Sequence, residues 1–400
     1  MATADTSVLH RDRHIKYWLR CLRSPLPTGY TSNDSNRMTL AFFTISALDV
    51  LDILHTHTNA SERDEWIDWI YRCQLARGGF RGFTGADFGA RGSVENEAWD
   101  PANLAATFFA LATLVVLGDG LERVRRVECL EWLRRLQWKD GSFGELLGDG
   151  GKIEGTRDMR YCYMAAGVRW ILRGGVEGAK AADIAGKDID VETLVRFINS
   201  SEVCRSTPVA GMTYCGISAL SFLDRLPKPP ADAGSKAQEL GGTGDEPPPV
   251  LLTGLPSLEG TVHWLVGRQT AYFPDDEIQE EEEGDGELES ATSSQEQSSD
   301  LEQERMAAKM ASESFPHEIP YAGFGGRCNK SSDTCYSFWV GGALAILDRV
   351  NLIDTSANRR FLLECTQHSV LGGFGKLPGD IPGLSASTDL SSMLFFLNSV

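Results

Sequence analysis

The sequence has no run of ~18 uncharged apolar residues, the length that a membrane-crossing helix requires, so no membrane span is expected. It shows no apolar leader at its start and no cysteine-based lipid-attachment signal at its end, which makes the chain at most a handler of lipids. Paired cysteine spacing is also lacking. Nine cysteines, an odd number, lie scattered along the chain, which points to reduced thiols and a cytoplasmic setting. A basic surface is missing as well. The net charge is −18 at pH 7, but residues 275–304 carry fourteen acidic and no basic side chains, and setting those aside leaves −4. The remaining body is mildly acidic, so no nucleic-acid partner is expected. Strand-like alternation of apolar and polar residues is absent. Histidine is scarce: the seven lie at positions 10, 14, 55, 57, 263, 317 and 368.

What the chain does have is length and apolar content, with 400 residues of which 42% are hydrophobic, enough to bury a large core. It also has a repeat. Glycine-phenylalanine turns recur at Gly78-Gly79-Phe80, Asp140 to Phe143, Gly323-Phe324-Gly325 and Gly372-Gly373-Phe374, each after a helix-like segment ending near a Gln. The segments that follow the turns, such as NLAATFFALATLVVLG and DTCYSFWVGGALAIL, are apolar nearly all round, as buried helices must be. A spacing of roughly fifty to sixty residues exceeds that of most solenoids. A closed ring of helix pairs accounts for both facts, and the expected fold is an all-α barrel of concentric helix pairs, an α/α toroid forming a single domain over residues 1–400.

Residues 10–54 supply the opening helix pair, with His10 and His14 read as surface residues of a basic helix rather than as a metal site. Two insertions of disordered composition, at about 227–254 and 270–320, flank one scaffold helix within Leu255–Arg268. The triplet Asp275-Asp276-Glu277 lies in the acidic run and reads as solvated charge, not as a magnesium-diphosphate motif.

The densest chemistry lies between Ala322 and Trp339. Glycines 323, 325 and 326 form a loop, and the spacing predicts a buried helix over Thr334–Leu347. Asp333 then stands at the helix cap and Cys335 in its first turn, where a hard oxygen and a soft sulfur can converge on one ion of the zinc type. The competing reading is a capping Asp before a buried Cys. Arg327 and Lys330 lie just upstream, so an anion could approach the same helix end. A metal beside an anion hole fits the displacement of a phosphate leaving group.

This stretch resembles the beta subunits of protein prenyltransferases, whose pattern runs G-F-x-G-R-x-N-K-x-x-D-x-C-Y-S-F-W. The resemblance implies that Asp333 and Cys335 ligate zinc, that Arg327, Lys330 and Tyr336 hold an isoprenoid diphosphate, and that Trp339 lines the lipid channel. It also implies an alpha subunit as heterodimer partner and CaaX-terminated proteins, such as small GTPases, as acceptors. Thr39 and Lys376 point within that family to geranylgeranyltransferase type I. A Thr there replaces the Trp that shortens the channel of farnesyltransferases, with Phe43 one turn further along. Lys376 stands where farnesyltransferases have a magnesium-binding carboxylate; the resemblance implies that its ammonium joins the diphosphate site and neutralises charge there, so magnesium is not expected to be required. Arg160, Tyr163 and Cys215 match the family's lipid wall, and Asn103, Ala105 and Tyr161 match its contacts to the last residue of the acceptor peptide. Each of these also reads as ordinary inner-helix packing.

Two departures stand against the pattern. Where the family has a diphosphate-binding His in a glycine turn, this chain reads SSEVCRSTPVAGMTYC with Val209 in its place. Where the family's third zinc ligand, a His, opens the helix after GGFGK, this chain has Ser385 or Ala386. The reading is a geranylgeranyltransferase type I beta subunit that uses geranylgeranyl diphosphate. A catalytically impaired or non-catalytic binding subunit, a farnesyltransferase-type subunit, or an active enzyme whose sequence is misjoined at these two places stay open.

Overall fold

The computed structural model describes residues 8–25, 35–85, 101–184, 186–203, 209–227, 252–274 and 319–383, with positions 33, 91, 93 and 99. In chain order the helices are α1 (Arg11–Arg23), α2 (Arg37–Val50), α3 (Leu54–His57), α4 (Ala60–Arg72), α5 (Leu104–Val116), α6 (Arg126–Arg135), α7 (Met159–Arg173), α8 (Gly178–Ile184), α9 (Val191–Val203), α10 (Ala210–Phe222), α11 (Leu258–Val266), α12 (Thr334–Ile346) and α13 (Thr355–Arg360). Helix α13 runs on into a wider turn over Phe361–Thr366. Helices α2, α5, α7, α10 and α12 pack against one another in that order and form the inner layer. Helices α1, α4, α6, α9, α11 and α13 form the outer one.

The inner helices are buried because they can be. Helices α5, α10 and α12 contain no charged residue at all. Four inner helices stop in the same way: after Leu51, Leu117, Leu223 and Leu347, a residue with positive φ (Asp52, Gly118, Asp224, Asp348) turns the chain. The next amide then reaches back to the helix, as Arg349 N does to Leu344 O at 2.8 Å. This wrap satisfies carbonyls that a buried helix end would otherwise leave bare.

The repeat seen in the sequence is a repeat of hydrogen bonds. At the end of each glutamine-tipped outer helix, the Gln side chain caps the residue that precedes the next outer helix. Gln74 accepts from Arg125 N at 2.8 Å. Gln137 accepts from Asp190 N at 2.8 Å and donates to Asp190 O at 2.9 Å. Gln269 makes the same pair with Asp354, at 2.9 and 2.8 Å. Gln367 accepts from His10 N at 2.8 Å and so joins the last outer helix to the first. The ring is closed through that contact. The turn glycines allow the close approach: a Cβ on Gly78 would lie 2.2 Å from Glu128 O, and one on Gly372 would lie 2.3 Å from Arg13 O. The phenylalanine of every turn, Phe80, Phe143, Phe324 and Phe374, is fully buried, each worth roughly 1.5–3 kcal/mol of transfer free energy.

His14 is where the structure departs most from the sequence reading. Far from lying at the surface, it is fully buried at the ring closure. Its Nε2 lies 2.9 Å from Gln367 Oε1, and its Nδ1 accepts from Gly373 N at 3.1 Å. The ring stacks on Phe374 with centroids 4.8 Å apart. His10 is half-buried, and its Nδ1 is 3.1 Å from Arg13 Nη1. Local pattern missed this because the partners are over 350 residues away.

Two small antiparallel pairs add to the helices. β1 (Leu146–Leu147) pairs with β2 (Ile153–Glu154), and β3 (Gln269–Tyr272) pairs with β4 (Tyr321–Phe324). In three turns the Gln and the Phe form a single bridge. In the fourth, the Gln269–Phe324 bridge is lengthened into a four-residue hairpin, and the acidic insertion leaves from beyond its Tyr272–Tyr321 end. Residues 270–272, placed in that insertion on composition, are therefore strand. The scaffold helix between the insertions is α11. The bulk of both insertions, residues 228–251 and 275–318 with the Asp275 triplet, lies outside the described residues.

Candidate active site

All the inner helices begin at one rim of the barrel. In four of them an amide at the helix start is held by the turn of the following pair: Met38 N donates to Gly82 O at 2.9 Å, Leu104 N to Glu145 O at 2.8 Å, Ala210 N to Gly326 O at 3.0 Å and Thr334 N to Lys376 O at 3.0 Å. In each case the acceptor lies two residues after the turn phenylalanine. Lys376 thus occupies the repeat position of Gly82, Glu145 and Gly326, and its backbone supports the helix that carries Asp333 and Cys335. The aligned amide ends concentrate positive potential at this rim.

Asp333 is the N-cap of α12, with extended backbone, and its Oδ1 accepts from Cys335 N at 2.8 Å. Its other oxygen lies 3.7 Å from Lys376 Nζ. Asp333 is buried while Lys376 reaches into solvent, so the ion pair adds little stability, and the ammonium is available to a ligand. Thr334 Oγ1 donates to Gly375 O at 2.8 Å and fastens the last turn to the helix. The cap is Asp333 and not the neighbouring Ser332, whose Oγ meets Thr270 Oγ1 at 3.0 Å.

Arg327 and Lys330 stand exposed on the loop before α12, with no ion pair among the described residues. Two glycines seat that loop. A Cβ on Gly326 would lie 2.1 Å from Tyr336 Cζ, and one on Gly325 would lie 2.8 Å from Lys330 O. The turn is completed by Asn329 at φ 56°. Burial, reinforced by the negative charge of Asp333 and Cys335 and opposed by Arg327, raises the Tyr336 pKa above its ordinary value. Its phenol is a hydrogen-bond donor at neutral pH. The structure thus brings Asp333, Cys335, Tyr336, Lys376, Arg327 and Lys330 to one helix end.

The remaining sequence candidates fall into register with that end. Counted from the turn-held amides of Met38, Leu104, Ala210 and Thr334, and from Met159 in α7, Thr39, Ala105, Arg160 and Cys335 occupy one repeat position, and Phe43, Cys215 and Trp339 occupy the position four residues on. Just before the latter runs an aromatic in every inner helix: Phe42, Phe108, Tyr163, Tyr214 and Phe338. Rings contact from helix to helix, with centroids 5.1 Å apart for Phe108–Tyr163, 6.0 Å for Tyr163–Tyr214 and 4.9 Å for Tyr214–Phe338. Small residues four positions later make room. A Cβ on Gly167 would lie 2.5 Å from Phe108 Cε2, and one on Gly342 would lie 3.0 Å from Tyr214 Cε2. This belt went unread in the sequence although its constant offset from the caps of α5, α7, α10 and α12 was there to find.

Three candidates have structural work as well. Asn103 caps α5 by accepting from Ala106 N at 2.7 Å. Arg160 is exposed and held by Asp158, with Nη2 2.7 Å from Oδ2. Tyr161 donates to Glu145 Oε2 at 2.9 Å, and burial together with that carboxylate pushes its pKa up to about 12. Burial likewise pushes the Cys215 thiol up to about 12, which makes it a packing residue rather than a nucleophile. Val209 caps α10 with no side-chain hydrogen bond, unlike Asn103, Asp158 and Asp333. The shortened turn at 204–208 and the Ser385–Ala386 position lie outside the described residues.

The donor set at Asp333 and Cys335 suits zinc in kind, a carboxylate and a thiol at one helix end. It falls short in number: among the described residues no group of three metal-binding side chains occurs.

A toroid of helix pairs with a cationic, thiol-bearing rim above an aromatic interior defines the class. The prenyltransferase alpha-alpha toroid domain profile matches residues 9–393, and the chain belongs to that family. It is 26% identical over 402 residues to the geranylgeranyl transferase type-1 subunit beta of Dictyostelium discoideum, covering 95% of this chain and 89% of that protein. Identity to the corresponding subunit of Arabidopsis thaliana is 28%, over 96% of this chain and 83% of the relative. The fold is similar to the solved Candida albicans protein geranylgeranyltransferase-I complexed with GGPP, with a TM-score of 0.68 at 23% identity, covering 98% of this chain and 92% of that one. Among the described residues, no helix is long and apolar enough to cross a membrane.

Proposed function

We propose that the chain is the beta subunit of a protein geranylgeranyltransferase type I. It pairs with an alpha subunit in the cytoplasm and transfers the geranylgeranyl group of geranylgeranyl diphosphate to the Cys of C-terminal CaaX motifs, small GTPases among them. The observation that carries the reading is the meeting, at the α12 N-terminus, of Asp333 and Cys335 with Arg327, Lys330 and Lys376 above the aromatic belt. In the reaction the acceptor sulfur bonds to C1 of the isoprenoid, the C1–O bond breaks, and diphosphate leaves with the electron pair. Arg327, Lys330 and Lys376 stabilise the charge that grows on the leaving diphosphate, and the protonated Tyr336 donates a hydrogen bond to it. Lys376 supplies charge where a carboxylate would call for magnesium, so Mg2+ is not required. Zinc would be held by Asp333 and Cys335, and when bound it lowers the pKa of the acceptor thiol. The lipid lies along Trp339, Tyr163, Cys215 and Arg160 toward Thr39 and Phe43. The peptide end meets Asn103, Ala105 and Tyr161.

A second reading, a prenyltransferase-like subunit with impaired turnover, is favoured by the two-donor metal site and by Val209, which offers a diphosphate no hydrogen bond. Donor choice tests the first reading. Thr39→Trp should move preference from the twenty-carbon to the fifteen-carbon donor by at least ~10-fold, since even one methylene in a closed pocket is worth ~10- to 200-fold. A wild-type complex that already favours farnesyl diphosphate would contradict it.

A further inference from the structure

We infer that Phe109, paired with Phe43, sets the upper limit on the length of the donor chain; the inference rests on the geranylgeranyl-transfer reading above. Thr39 puts a small side chain at the first repeat position of α2, so what lies beneath it decides how far a donor chain can extend. One turn deeper on the same face is Phe43. Its repeat equivalent on the neighbouring helix α5 is Phe109, six residues past the Asn103 cap just as Trp339 is six past Asp333 and Cys215 six past Val209. Phe109 is only half-buried although Phe108 and Ala110 on either side of it are buried. Its ring centroid lies 5.4 Å from that of Phe43 and 5.0 Å from that of Phe42. Rings at that spacing are in contact, and together they form a floor below Thr39.

Of the equivalent positions elsewhere, Met164 on α7 and the small Cys215 on α10 bring no ring, while Trp339 on α12 packs against Tyr214 and Phe338, with centroids 5.1 and 4.9 Å apart. Past Phe109, Val116 lies two turns further along the same face of α5 and is again only half-buried. Removal of the Phe109 ring would therefore join the space above the floor to a face that stays open beyond it. Thr39 admits the fourth isoprene unit from the side, and the Phe43–Phe109 pair stops a fifth.

The test uses the complex of this chain with its alpha subunit. All-trans donors of fifteen, twenty and twenty-five carbons compete in one tube for a peptide ending in Cys-a-a-Leu, and the products are weighed by mass spectrometry. One methylene is worth ~10- to 200-fold in an apolar pocket, so the wild type should reject the twenty-five-carbon donor by at least ~100-fold against the twenty-carbon one. Phe109→Ala should narrow that ratio at least ~10-fold, with Phe109→Leu between, and Phe109→Trp should move the fifteen-to-twenty ratio ~10-fold toward the shorter donor. Leu and Trp carry the test if Ala does not fold. Ratios measured in one tube are insensitive to a general loss of active enzyme. Twenty-carbon transfer with both ratios unmoved in all variants would overturn the inference alone. Absence of twenty-carbon transfer by the wild type would overturn the underlying reading and the inference with it.

Discussion

Zinc in a complex built with residues 1–400 should fall well below one equivalent after dialysis against micromolar metal. A catalytic zinc normally has three protein ligands and one open position. Here Asp333 and Cys335 are two, and Asp333 already spends one oxygen on the Cys335 amide and turns the other toward Lys376. Residues 377–400 contain no histidine. His368 cannot step in as it stands, because its Nδ1 accepts from the amides of Val370 and Leu371 at 3.2 and 3.1 Å, and it precedes the last turn instead of following it. Loss of a mere supporting partner lowers metal affinity ~10- to 100-fold, so a missing ligand should cost at least that much. Replacing the segment after Lys376 with a helix that opens on a His should raise zinc affinity and turnover together by at least ~10-fold. One full equivalent of zinc with rapid turnover in the unaltered chain would mean that another side chain completes the site.

His14→Ala should destabilise the chain by roughly 3–5 kcal/mol, the sum of a cavity against Phe374 and a buried Gly373 amide left without an acceptor. The same residue makes stability depend on pH. A backbone amide can only donate, so His14 Nδ1 must accept and Nε2 must carry the proton that Gln367 receives. A second proton on the ring would face the Gly373 N–H. Burial lowers the His14 pKa below its ordinary 6.5, aided by the nearby His10 and opposed by the Gln367 hydrogen bond. The folded state thus holds the ring neutral while the unfolded chain takes a proton near 6.5. This contribution is fully present above that pH and is lost as pH falls below it, at up to ~1.4 kcal/mol per pH unit. Urea midpoints at pH 7.5 and 5.5 should differ more for the wild type than for His14→Gln. Equal pH slopes would show that His14 is not the group that senses the acid.

Much of this was legible in the sequence because the repeat is local. Except at Gln269, whose turn lies beyond the acidic insertion, each Gln, its Gly-Phe turn and the apolar helix that follows lie close together in the chain, so the helix pairs and their order could be read from spacing. Asp333 at a cap and Cys335 in the first turn followed from the same local rules. The contacts that close the barrel did not. His14 meets Gln367 and Gly373 only because the last turn lands on the first helix, and no pattern near position 14 announces that. The hairpin at Gln269–Tyr272 was hidden for a different reason. QTAY is too short to show alternation, and its partner YAGF lies across the acidic insertion. Lys376 was assigned to the diphosphate by resemblance; its backbone hold on Thr334, which places its side chain beside Asp333, appears only in three dimensions.

The most direct test of the central claim is a transfer assay with the purified complex of this chain and an alpha subunit, supplied with zinc, geranylgeranyl diphosphate and a peptide ending in Cys-a-a-Leu, without magnesium. The account predicts a thioether product carrying one twenty-carbon chain on the cysteine, formed slowly, and lost when Lys330 and Lys376 are both replaced by Ala. A product that forms only with farnesyl diphosphate, or one that persists at full rate in the doubly substituted chain, would contradict it.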